Sequence, residues 1–103
     1  MNRFHKHKFR AKPTELDGIK FSSKKEASYY KQLKLRQSAG EVVFFLRQTP
    51  FHLPGGVKYV CDFIEFWSDE TVYVIDCKGF KTEQYKSKKK MVEALYPIEI
   101  EEK

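Results

Sequence analysis

The chain of 103 residues has few cysteines and no long apolar run. No stretch approaches the roughly 20 apolar residues that a membrane-spanning helix needs, and the N-terminus lacks the apolar core of a secretion signal. We therefore expect a cytoplasmic protein with no membrane partner. The two cysteines, Cys61 and Cys77, have no second pair of cysteine or histidine ligands to accompany them. We expect buried free thiols rather than a disulfide or a zinc site.

Glycine and proline are unremarkable, with five and four residues, while 41% of the residues are hydrophobic. This composition is typical of a folded domain rather than a disordered chain. A single domain of this length buries only about 60 to 70% of its surface on folding. Its stability should be modest, and forming a dimer would increase it.

Acidic residues are outnumbered, since 20 Lys and Arg against 14 Asp and Glu give a formal net charge of +6. The first twelve residues contain no acid at all. Such a segment is typical of an arm that follows a phosphate backbone or stacks on bases, although an ordinary solvated tail has the same composition. We predict a basic arm over residues 1–13 and one domain over residues 14–103. The candidate DNA-binding residues of the arm are Arg3, Lys6, Lys8 and Arg10.

Two segments rich in β-branched and aromatic residues, Lys58–Trp67 and Thr71–Gly79, are separated by a short polar sequence. This pattern predicts an antiparallel β-hairpin. Each segment contains one aspartate, Asp62 or Asp76, in otherwise apolar surroundings, where an unpaired carboxylate loses its hydration. Something must therefore compensate the two charges.

The hairpin would bring these carboxylates together. Because side chains alternate along a strand, Asp76 and Lys78 share a face and lie about 6.6 Å apart, while Cys61 and Cys77 take the opposite face. Two adjacent carboxylates repel each other, and Mg²⁺ suits the resulting site because it takes one or two carboxylates together with waters and phosphate oxygens. A slip of one residue in the register would send Asp62 or Asp76 to the other face.

A helix is predicted over residues 22–39, with Gly40 as its C-terminal cap. Glu26 falls within the aromatic, core-facing stripe of this helix. Ser23 and Glu26 have the spacing of a capping box, in which the glutamate bonds the N-cap amide. Alternatively Glu26 completes the acidic cluster, and the two roles need not exclude each other.

A second helix is predicted to begin with Thr82 as N-cap and to end at Pro97. Lys88 falls within its apolar arc, which suggests that Lys88 points towards the acids. A run of lysines is usually a solvated face, but a helix that starts beside the acids is also well placed to hold a phosphate backbone. The candidate DNA-binding lysines of the domain are Lys24, Lys25, Lys81, Lys86, Lys88, Lys89 and Lys90.

The remaining segments complete an α/β order of hairpin, helix, three strands, helix and strand. Asp17-Gly18 favours a type I′ turn in a short hairpin over residues 14–21. A strand is predicted over residues 41–48, a loop over residues 51–56 and an edge strand over residues 98–100. Gln48 is expected to close its strand rather than to bind a ligand. We predict a mixed central sheet flanked by two helices.

Asp62, followed after thirteen residues by Asp76-Cys77-Lys78, resembles the metal-binding signature of the PD-(D/E)xK nuclease superfamily. The signature usually has proline where this chain has Cys61, a change that leaves the acid in place. Other segments are similar to small phage and prophage endonucleases that are related to phage Holliday-junction resolvases. These segments are Asp17–Phe21, Ser23–Ala27, Gly55–Tyr59, Asp76–Thr82 and Lys88–Lys90.

The resemblance implies a restriction-endonuclease-like core and a Mg²⁺-dependent DNA endonuclease, with Mn²⁺ able to replace Mg²⁺. It implies that Asp62, Asp76 and Glu26 hold the metal, with the backbone carbonyl of Cys77 as a further ligand. Lys78 would orient the attacking water and stabilise the negative charge on the phosphate. Branched or junction DNA would be the substrate, nicking of ordinary duplex the alternative, and a homodimer would make paired cuts.

A non-catalytic nucleic-acid-binding module with the same fold is the main alternative. The basic arm and the lysine-rich helix would bind phosphates without chemistry. The set of Asp62, Asp76 and Lys78 argues against this function, because a pure binder gains nothing from acids that repel DNA. A third possibility, a small basic assembly protein with a purely structural hairpin, predicts no metal binding.

Overall fold

A four-stranded sheet with one helix on each face forms the centre of the computed structural model, which describes residues 14–103. The predicted basic arm therefore lies outside the described residues. The elements are β1 (Thr14–Leu16), β2 (Ile19–Phe21), α1 (Lys24–Ser38), β3 (Val42–His52), β4 (Lys58–Trp67), β5 (Val72–Asp76), α2 (Glu83–Leu95) and β6 (Ile100–Glu102), with a 3₁₀ turn at Pro54–Gly56.

The sheet is mixed, in the order β3-β4-β5-β6. Neighbouring strands are antiparallel except β5 and β6, which run parallel. The sheet separates two hydrophobic cores, one under each helix. On β5, Ile75 packs with Leu33 of α1 on one face, and Val74 packs with Val92 of α2 on the other. The predicted α/β class, element order and mixed sheet between two helices are confirmed. No helix within residues 14–103 is long and apolar enough to cross a membrane.

Local sequence signals fix the element ends. Asp17 and Gly18 have φ values of 55° and 75°, the left-handed pair that a type I′ turn requires. The side chain of Ser23 accepts a hydrogen bond from the amide of Glu26, and Thr82 caps α2 in the same way. Both predicted N-caps are confirmed, although α1 begins at Lys24 rather than at residue 22.

The predicted bounds of three strands are also wrong. β3 does not stop at residue 48 but continues to His52, which pairs with Lys58. Pro50 is tolerated within it because β3 is an edge strand, and a proline there need not interrupt pairing with β4. β5 ends at Asp76, so Lys78 lies beyond the strand, and the last strand is Ile100–Glu102 rather than residues 98–100.

Cys61 and Cys77 are buried free thiols, as predicted. Burial raises the pKa of Cys61 to about 11 and the pKa of Cys77 to about 12. The prediction that both occupy the face opposite the acids is wrong, since Cys77 packs in the α1 core and Cys61 in the α2 core. Cys61 and Phe63 lie in different cores although they are two residues apart, so the alternation of β4 is broken at Asp62.

Candidate active site

The register of the β4–β5 hairpin brings the two predicted aspartates together. Phe63 pairs with Ile75, so the next residues towards the open end of the hairpin are Asp62 and Asp76. Asp62 and Asp76 are 7% and 0% exposed, and the carboxyl group of Asp62 is close enough to raise the pKa of Asp76. Two buried carboxylates this close repel each other, so a proton or a cation must offset part of their charge.

Asp76 holds its proton more tightly than an ordinary carboxyl group. Burial and the neighbouring carboxyl group of Asp62 raise the pKa of Asp76 to about 7, against the opposing effects of Tyr59 and Lys78. Its Oδ2 accepts a hydrogen bond from the hydroxyl group of Tyr59. Its Oδ1 lies 3.3 Å from Lys78 Nζ but has no hydrogen-bond partner among the described residues. This buried oxygen therefore has a cationic neighbour in Lys78 but accepts no hydrogen bond from the described residues.

Asp62 is oriented from two sides. Its Oδ2 accepts the backbone N–H of Cys77 at 2.7 Å, and its Oδ1 accepts Gln48 Nε2 at 3.3 Å. The first bond fixes the peptide of Cys77 against the carboxylate pair. Backbone donors hold a carboxylate without adding a mobile charge.

Glu26 lies 3% exposed on the first turn of α1 and is directed towards this cluster. Its carboxylate accepts hydrogen bonds from Ser22 Oγ and Gln48 Nε2, both at 2.9 Å. Only half of the predicted capping box is present in the described residues, because Ser23 Oγ accepts the amide of Glu26 while the carboxylate is used elsewhere. Gln48 therefore bridges the carboxylates of Glu26 and Asp62.

Sequence reasoning missed this role of Gln48, and the prediction that it only closes a strand is wrong. Arg47 Nη2 lies 3.7 Å from Glu26 Oε2, so two successive residues of β3 reach the same carboxylate. A regular strand does not allow this, because successive side chains point to opposite faces. Gln48 has a left-handed φ of 48°, which breaks the alternation, and nothing in the sequence signals that conformation.

The donor set fits a hard divalent cation bound by few protein ligands. No group of three or more His, Cys, Asp and Glu side chains within residues 14–103 forms a ready metal cage. Two neighbouring carboxylates are present instead, one with an oxygen that accepts no hydrogen bond, and Mg²⁺ binds through one or two carboxylates while it retains several waters. Asp62 and Asp76 could hold such an ion, and Glu26 reaches the pair only through Gln48.

The predicted lysines separate into three groups. Lys78 and Lys88 line one cavity beside the aspartates, and Lys25 Nζ donates to the backbone oxygen of Lys78 at 3.4 Å. Lys24 and Lys90 are exposed elsewhere on the helices. The lysines that form ion pairs with Glu83, Glu93 or Glu102 are Lys81, Lys86 and Lys89. Arg3, Lys6, Lys8 and Arg10 lie outside the described residues.

The pKa of Asp76 predicts how the stability of the metal-free protein depends on pH. The folded-state pKa of about 7 lies above the ordinary value of 3.8, so the folded protein binds the extra proton between these values. This contribution to stability is fully present below about pH 4 and is lost as the pH rises through 7. We expect the urea midpoint in EDTA to fall between pH 5 and pH 8, and Asp76→Asn, which cannot titrate, to show a flatter profile. An equally steep profile in the variant would contradict this cause.

Fold and geometry together define an α/β protein with a buried carboxylate pair at the open end of a hairpin and a lysine beside it. The chain belongs to the family described as protein of unknown function (DUF1064), whose model matches residues 6–101. No curated protein and no solved structure matches the chain.

Proposed function

We propose that this protein is a Mg²⁺-dependent DNA endonuclease with a restriction-endonuclease-like core. One observation carries the proposal: Asp62 and Asp76 are both buried at the open end of the hairpin, and Lys78 Nζ lies 3.3 Å from Asp76 Oδ1. Burying two like charges beside each other is costly unless a proton or a cation compensates them. Such an arrangement is hard to explain as a contribution to stability.

The ion would bind between Asp62 and Asp76, with Mn²⁺ as a substitute for Mg²⁺ and the backbone carbonyl of Cys77 as a candidate ligand. Gln48 would hold Glu26 and Asp62 at a fixed separation, so that Glu26 completes the site directly or through water. When bound, Mg²⁺ supplies charge neutralisation at the phosphate and lowers the pKa of water.

Lys78 would act on the reacting groups themselves. It lies past the end of β5, with its side chain 34% exposed, and therefore reaches both the buried aspartate and solvent. From this position its ammonium group would orient the attacking water and stabilise the negative charge that develops on the phosphate. A fixed charge in a partly dry site has a larger effect than the same charge in water.

DNA is the proposed substrate because Lys78 contacts Asp76, Lys25 contacts the backbone of Lys78 and Lys88 shares a cavity with Lys78, while the whole chain carries a net charge of +6. Phosphate contacts of this kind position a strand without reading its sequence. Branched or junction DNA is the first substrate to test. A homodimer would allow paired cuts on two strands.

The decisive experiment incubates the protein with a labelled four-way junction and a labelled linear duplex in Mg²⁺, in Mn²⁺ and in EDTA. We expect cleavage in either metal and none in EDTA. Lys34→Ala, which removes one positive charge from the exposed surface of α1, should cleave at the wild-type rate. Tight, salt-sensitive binding without cleavage would instead favour a nucleic-acid-binding module, and a calorimetric titration showing no Mn²⁺ binding would favour a structural role.

A further inference from the structure

A cavity of about 420 Å³ is lined by Tyr59 and Lys78, the two residues whose side chains contact Asp76. Its walls are the beginning of β4, the segment that follows β5 and the start of α2. Lys78 lines this cavity and also lies 3.3 Å from Asp76 Oδ1. Ligand cavities in proteins measure about 300–1,000 Å³, so this one can hold a single nucleotide unit next to the aspartates.

The charges around the cavity are all positive. Lys58, Lys78 and Lys88 line it, and no acidic side chain of the described residues does so. These lysines come from three separate parts of the chain, so their convergence is a property of the fold and not of a lysine run. Ammonium groups at such a wall bind phosphate oxygens and release counterions.

An exposed aromatic ring completes the cavity. Phe80 is 73% exposed, and its ring contacts no other aromatic ring within residues 14–103. A solvent-exposed phenylalanine ring next to lysine side chains provides a flat apolar face on which a base can stack. Gln84, also exposed in this cavity, offers an amide that can bond a base edge.

We propose that this cavity binds an unpaired nucleotide adjacent to the scissile phosphate, with its base on Phe80 and its phosphate near Lys58 and Lys88. In a continuous duplex both faces of each base are covered by its neighbours, so Phe80 gains a stacking partner only where a base has left the stack. The preferred substrate is therefore DNA with unpaired nucleotides at a branch, flap or loop. This inference rests on the proposed function, which brings a DNA strand to Asp76.

Binding measurements with the full chain in EDTA test the inference without cleavage. Fluorescence anisotropy would compare a duplex with a flap substrate that has the same number of phosphates and three unpaired thymidines. We expect the wild type to bind the flap about tenfold more tightly, and Phe80→Ala to lose about tenfold on the flap only, within the range observed for one stacked base. Phe80→Trp should retain the preference, and Leu35→Ala, which removes another exposed apolar side chain, should leave both affinities unchanged.

Equal loss on both substrates, or no loss on the flap, would overturn the stacking role of Phe80. Lys58→Gln and Lys88→Gln should each reduce the slope of log affinity against log salt by about 0.7 to 0.9 on the flap, and unchanged slopes would overturn the phosphate contacts. The two proposals fail separately. Preferential binding of the flap without any cleavage would refute the nuclease proposal and support the nucleotide-binding cavity. Metal-dependent cleavage with no effect of Phe80→Ala on binding would support the nuclease proposal and refute the cavity.

Discussion

Replacing Asp76 with asparagine is expected to lower the rate of Mg²⁺-dependent cleavage by about a thousandfold or more. The substitution removes one of the two carboxylates proposed to hold the ion, while a bound ion stabilises transition-state charge by several kcal/mol and each 1.4 kcal/mol corresponds to a factor of ten. The measurement is a single-turnover cleavage rate on the junction substrate. Cleavage as fast as in the wild type would refute the proposed function.

The same variant should remain folded, which makes it a clean test. Asparagine keeps the shape of Asp76 and an oxygen that can accept the hydroxyl group of Tyr59, and it removes a buried charge that faces Asp62. Above pH 7 in EDTA we expect it to be at least as stable as the wild type. Calorimetry should show weakened Mn²⁺ binding, and Glu99→Gln, which neutralises an exposed acid, should bind Mn²⁺ normally.

Replacing Lys78 with methionine is expected to lower the cleavage rate by about 10²- to 10³-fold, the loss typical of removing one group that stabilises developing charge. Methionine keeps much of the apolar stem of Lys78 but removes the ammonium group, which lies 5.5 Å from the ring centroid of Tyr85. Mn²⁺ affinity should be retained or increased, because the ammonium group competes with a cation for Asp76.

Lys78 and Asp76 can therefore be distinguished by their separate effects on binding and on rate. The aspartate variant should lose both metal affinity and cleavage, and the lysine variant should lose cleavage alone. Lys34→Met provides the matched control for loss of one positive charge. An unchanged rate for Lys78→Met, or a loss of Mn²⁺ affinity as large as its loss of rate, would contradict the assigned role.

The hairpin that carries the aspartates was predictable because its signals are local. Two β-branched and aromatic segments and a polar turn predict β4 and β5, but their register was left open and is a finding of the structure, which pairs Phe63 with Ile75. The N-caps Ser23 and Thr82 were predictable for the same reason, since a cap depends only on residues within one helical turn.

The surroundings of the aspartates were not predictable, because they depend on departures from regular geometry. The alternation of β4 breaks at Asp62, which puts Tyr59 on the side of Asp76. Strand periodicity alone gives no sign of such a break. Likewise, the ion pairs of Lys81 and Lys89 depend on where β6 places Glu102, a distant residue that no local pattern links to them.

The left-handed backbone at Gln48 lowers the stability of the fold, while the side chain of Gln48 positions two carboxylates of the proposed site. A residue other than glycine in this conformation carries a local cost of about 1–3 kcal/mol, and it persists only where its neighbours enforce it. Glycine would adopt the same angles without that cost but would leave the two acids without their shared amide. Glycine at this position would make β3 easier to form, whereas glutamine aligns the carboxylates of Glu26 on α1 and Asp62 on β4. The sequence has glutamine and so keeps the alignment.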